Sequence, residues 1–177
     1  MAVAKDPNKI DGGEFTNVPT NAIGYTKITS CITVTVALKP QMTKEVRVGY
    51  PQLMGSHFLN NMENTDIQNM IREFTSYWRG TVAGVYMLGD IGVWSAGDKN
   101  LWKDYKHIIK EIVKGRAGKE TRYWISNNTN VLIKMKVQGD NIHAIMNDNT
   151  WTTDCNGKDG PTSPSLQEAI TSVAETL

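Results

Sequence analysis

Gly139-Asp140 sits between two alternating runs, and that turn fixes the facing of every side chain in 131–146, VLIKMKVQGDNIHAIM. Glycine first in a two-residue loop suits a type II′ turn, whose twist matches antiparallel strands. The register then sets Val137 against Ile142, Met135 against Ala144 and Ile133 against Met146, all apolar. Lys134, Lys136, Gln138, Asn141 and His143 take the other face, with Ile145 the exception. A slip of one residue would bury the lysines, so the register is well specified.

Upstream, 28–38 reads as a strand with Ile32, Val34, Val36 and Leu38 on one face and Thr33, Thr35 and Ala37 on the other. Pro40 ends it, and 45–50 can form a shorter second strand. A T-x-x-Q capping box at Thr65 and Gln68 opens a helix whose Ile67, Met70, Ile71 and Phe74 share a face. The glycine-punctuated stretch TVAGVYMLGDIGVWSAG predicts strands over 81–88 and 91–95, joined by a hairpin turn at Gly89-Asp90.

Residues 100–114 return to a helical period, with Trp102, Tyr105, Ile109, Ile112 and Val113 as the apolar stripe; a strand is the alternative for the first half, since WKDYKHI also alternates. Asp98 or Asn100 can cap this helix and Gly115 can close it. A strand covers 121–125, a turn 127–130, and a loop 147–164. A last helix opens at Ser165 with Glu168 completing its capping box.

The sum is an α+β, strand-dominated chain: a β-sandwich or partly closed barrel with two to three flanking helices. Residues 1–24 lack periodicity and read as an irregular N-terminal arm, leaving 25–177 as a single β-rich domain. The whole length, 177 residues, suits one core of that size.

Catalytic and metal motifs are missing. His57, His107 and His143 stand at no metal spacing and read as surface residues. Cys31 and Cys155 belong to no CxxC or CxxH pattern; they read as buried thiols or as one long-range bridge. Neither G-x-S-x-G nor a phosphate-loop motif occurs, and the loop at Asp154–Gly160 lacks the donor pattern of an EF-hand. No cofactor and no metal are expected.

Charge is more informative in its distribution than in its sum of +1. Between 103 and 122, seven basic residues (Lys103, Lys106, Lys110, Lys114, Arg116, Lys119, Arg122) oppose three acids. Lys103, Lys106, Lys110 and Lys114 would form one ridge on a helix. From 140 onward six acids, among them Asp148, Asp154 and Asp159, oppose Lys158 alone. Opposed patches suit a subunit that meets its own copies head to tail. Nucleic acid is disfavoured as a partner of the ridge, since no aromatic stacking motif accompanies it.

The order strand, Gly97-Asp98, helix 101–114, Gly118-Lys119 and the aromatic strand RYWIS at 122–126 resembles phage tail-tube proteins over 81–126. That resemblance implies a sandwich flanked by a helix that stacks into rings. The 131–146 hairpin is similar to hairpins of concanavalin-like sandwiches. The shared residues are generic, and neither resemblance assigns a family.

The expected function is therefore a non-enzymatic structural subunit that self-assembles, of virion, tail-tube or fibre type. The alternative is a carbohydrate-binding sandwich using Trp94, Trp124 and Trp151 with Asn127, Asn128 and Asn149; a small enzyme with an unrecognised site comes third. No apolar run reaches the ~20 residues of a membrane span, and the start shows no signal peptide. Cytoplasmic synthesis with virion incorporation is thus expected over Sec secretion.

Overall fold

The computed structural model describes residues 1–39, 41–43, 46–48, 52–95, 102, 104–127, 131–138 and 141–147. Along the chain run β1 (Ala2–Val3), β2 (Glu14–Phe15), β3 (Ala22–Ile28), β4 (Ile32–Leu38), β5 (Gln41–Thr43), β6 (Val46–Val48) and β7 (Gln52–Phe58). They are followed by α1 (Asn64–Ser76), β8 (Val82–Gly89), α2 (Ile91–Ser95), α3 (Tyr105–Val113), β9 (Ala117–Asn127), β10 (Val131–Gln138) and β11 (Asn141–Asn147). No helix among the described residues is long and apolar enough to cross a membrane.

The strand-dominated architecture has three layers. Its middle is a mixed sheet in the order β1-β2-β7-β4-β8-β9, and it does not close into a barrel. β4 lies inside this sheet, antiparallel to both β7 and β8. β8 and β9 are parallel, which requires a crossover, and α2 and α3 provide it. Ile32, Val34, Val36 and Leu38 pack with Ile67, Met70, Phe74, Ile108 and Ile109 on the helical side. The opposite face meets the second sheet, β11-β10-β3, through Ile23, Tyr25, Ile133 and Met135.

All seven residues of β4 are buried, so the threonine face expected at a half-buried strand lies inside as well. Its hydroxyls are satisfied there: Thr33 Oγ1 donates to the Leu88 carbonyl at 2.9 Å, and Thr35 Oγ1 lies 2.6 Å from Tyr25 Oη. Burial on both faces also explains why β7 has no readable period. Gly55 stands in it because Tyr25 Oη occupies the space a Cβ would need.

The hairpin register is the one its turn demands: Val137 faces Ile142, Met135 faces Ala144 and Ile133 faces Met146. Gly139 and Asp140 themselves lie outside the described residues. Ile67, Met70, Ile71 and Phe74 form the buried face of α1 as expected. Its capping box does not form, however; the N-cap lies two residues earlier, at Glu63, with no side-chain cap. α3 is capped instead by Asp104, which accepts from the Lys106 amide at 3.0 Å, and Gly115 closes it at φ +70°.

Two expectations are corrected. The 91–95 segment is helix, not the second strand of a hairpin. Asp90 caps it by accepting from the Val93 amide at 3.1 Å, and a local cap outweighs the β-branched composition. Residues 1–24 are irregular in part, yet they are not a loose arm. Ile10 and Ile23 are fully buried, and Ile10 exchanges backbone hydrogen bonds with Gly24 and Thr26 at 2.8 and 3.1 Å. The 147–164 loop (beyond Asn147), the helix from Ser165 and Cys155 lie outside the described residues.

Candidate functional site

His57 is the residue that composition and spacing placed wrongly. It is 1% exposed, near the end of β7 and facing the second sheet. Nδ1 lies 3.2 Å from the Ile10 carbonyl oxygen. A carbonyl only accepts, so Nδ1 carries the proton and Nε2 presents a bare lone pair. That Nε2 is buried and makes no hydrogen bond among the described residues. The carbonyl that orients the ring comes from the opening segment, where Thr26 N–H also holds it.

Burial holds the imidazole below its ordinary value of 6.5, against the opposing pull of the Ile10 carbonyl and Asp11. The unfolded chain therefore binds a proton at His57 at a higher pH than the fold does. Stability from this group is complete above 6.5 and is lost as pH falls towards the depressed value in the fold. Urea midpoints measured from pH 7 to pH 5 should decline in wild type, and His57→Gln should flatten that decline. An unchanged slope in the variant would contradict a buried neutral imidazole.

Cys31 stands one residue before β4, a free thiol 7% exposed. Burial raises its pKa, while backbone N–H groups of Asn60, Thr29 and Ser30 at the sulfur oppose the rise. The β4–β7 register places Thr33 opposite His57, and Cys31, just before β4, belongs to the buried cluster on that same side of the sheet. The turn carrying Cys31 is pinned from α2: Trp94 Nε1 donates to the Ser30 carbonyl at 3.0 Å, and Asp90 N–H to the Cys31 carbonyl at 2.9 Å. Nε2 has no hydrogen-bond partner among the described residues, so a thiol and a potential general base share this side of the sheet without a bond between them.

The basic patch assembles only in part. Lys106 is half-buried on α3, and Lys110 and Lys114 are exposed there. Lys114 lies 3.6 Å from Glu111. Arg116 leaves the ridge: its guanidinium sits 4.2 Å over Trp78 and Nη1 donates to the Thr75 carbonyl at 2.9 Å. Lys119 and Arg122 are exposed on β9. Lys103 and the acidic Asp148, Asp154 and Asp159 lie outside the described residues.

The glycan constellation does not converge in its described part. Trp94 is 1% exposed in the core beneath the helices, so its ring has no free face for a sugar. Trp124 packs on the other side of the sheet, stacked flat on Tyr86 at 4.4 Å. Asn127 is exposed and accepts from the Gly92 amide at 3.4 Å. Asn128, Asn149 and Trp151 lie outside the described residues. Among the described residues no three His, Cys, Asp or Glu side chains could hold a metal.

Sequence reasoning missed Cys31 and His57 as a pair because they lie on different strands whose register only the fold sets. No family model, curated protein or solved structure matches the chain.

Proposed function

We propose that the chain is a thiol-dependent enzyme that transfers or hydrolyses the acyl group of an amide or ester. The observation that supports this reading is the bare, buried Nε2 of His57, tautomer-locked by the Ile10 carbonyl on the side of the sheet where Cys31 is buried. Cys31 Sγ attacks the carbonyl carbon and forms the C–S bond while His57 Nε2 takes the thiol proton. The amine or alcohol leaves with that proton, and a thioester remains. Water then attacks the thioester, gives its proton to Nε2 and releases the acid, after which Sγ regains the proton. Burial raises the Cys31 thiol pKa, so the thiol keeps its proton until a base takes it, and the N–H groups of Asn60, Thr29 and Ser30 at the sulfur only oppose that rise. Turnover of p-nitrophenyl acetate and of a panel of small amides tests this; Cys31→Ala should abolish it, and turnover that persists in that variant overturns the proposal.

A self-assembling subunit is the second reading, favoured by β9. This eleven-residue strand ends the sheet order among the described residues, with Lys119 and Arg122 exposed on it. A long outer strand can template pairing with another copy. Light scattering should then give a mass above the monomer that falls as salt rises. A monomer at every salt concentration contradicts it.

A further inference from the structure

A groove of about 320 Å³ opens between α1 and α3, on the opposite side of the central sheet from Cys31 and His57. Its size falls in the range of small-molecule sites. Among the described residues three cations line it, Arg72, Lys114 and Arg116, against the single acid Glu111. Trp102 forms one wall, with Ile71 and Ile112 as further apolar lining.

Arg116 is built rather than merely exposed. Stacking on Trp78 and the bond to Thr75 fix the plane of its guanidinium, and only Nη1 is engaged by that bond. Arg79 stands near enough to act on it: partial burial, and then Arg79, hold the Arg116 pKa below the ordinary arginine value. Among the described residues Arg72, Arg79 and Arg116 make no ion pair. Glu111, the acid on the lining, is engaged with Lys114 instead. Like charges gathered around a fixed, half-buried guanidinium without a carboxylate partner are stabilised by an anion.

We infer that this groove binds a small phosphate-bearing molecule with an apolar or aromatic end. The phosphate bridges Arg116 and Arg72, and the apolar end lies against Trp102. Arginine is suited to the first task because its fork matches two phosphate oxygens at once.

The test is titration of the full chain with phenyl phosphate, inorganic phosphate and phenol, followed by NMR of the Trp102 indole and of backbone amides. Phenyl phosphate should saturate and bind at least ten-fold more tightly than either fragment. Arg116→Gln should weaken it at least ten-fold. Arg72→Gln, at a side chain that among the described residues bonds only Asn69 on its own helix, should weaken it about five-fold with the fold intact. Equal affinity for phenyl phosphate and inorganic phosphate overturns the apolar half of the inference. Absence of saturable binding, or binding unchanged in both variants, overturns the whole. Because groove and thiol lie on opposite sides of the sheet, Cys31→Ala should leave this binding as it is, and failure of one proposal leaves the other standing.

Discussion

Gly89→Ala should destabilise the protein by about 3 kcal/mol or more, or prevent folding outright. Gly89 has φ +145°, a conformation that L side chains rarely adopt. Space is closed as well: an added Cβ would meet the Cys31 carbonyl and the Ile32 Cα, both backbone atoms that cannot swing aside. Strain and overlap therefore act together where β8 passes β4 and the chain turns into α2. For a domain of this size that loss corresponds to a fall in Tm of about 6–12 °C. Gly115→Ala is the matched control. It also has positive φ, +70°, but nothing lies within 4 Å of the added carbon, so about 1 kcal/mol is expected. Urea unfolding of both variants measures the difference; equal losses would show that crowding against the Cys31 backbone contributes nothing.

The same contact ties stability to chemistry. The Cys31 carbonyl that blocks a side chain at Gly89 also accepts from Asp90 N–H, and Ser30 beside it is held by Trp94. The segment carrying the thiol is thus fixed by β8 and α2, and its position is not left to a free loop.

What sequence makes legible here depends on how many faces an element buries. The 131–146 hairpin is readable to the residue because lysines exclude one face of β10 from the core and a local turn sets its partner. α1 is readable for a similar reason, with one apolar face and one polar. β7 is opaque because both its faces are interior, so glycine, serine and histidine replace alternation. α2 reads as a strand because Ile91, Val93 and Trp94 favour one, whereas the deciding contact is a single cap from Asp90. The opening segment has no period at all, yet it contributes the Ile10 carbonyl that sets the tautomer of His57.

The candidate sites are still less legible, since long-range pairing creates both. Cys31 and His57 come to one side of the sheet only through the pairing of β4 with β7. Arg72 and Arg116 meet at one groove only because α1 packs beside α3. The lysine ridge was visible as spacing, but the guanidinium fixed over Trp78 was not. Trp94 shows the reverse error: a tryptophan beside a turn suggests a sugar platform, while here it is core and its indole N–H holds the Ser30 carbonyl.

His57 is proposed as the base for Cys31, and acylation of the thiol measures that role directly. In a Cys155→Ser background, native protein treated with p-nitrophenyl acetate should gain one acetyl group, located at Cys31 by mass spectrometry of the digested chain. His57→Gln should slow that acetylation about a hundred-fold or more, the lower end of what a positioned base contributes. The wild-type rate should not halve at pH 6.5, the ordinary histidine value, but hold to lower pH, because burial depresses the pKa of His57. Acetylation confined to Cys31 and dependent on His57 is the predicted result; an unreactive Cys31, or equal rates in wild type and His57→Gln, would contradict the account.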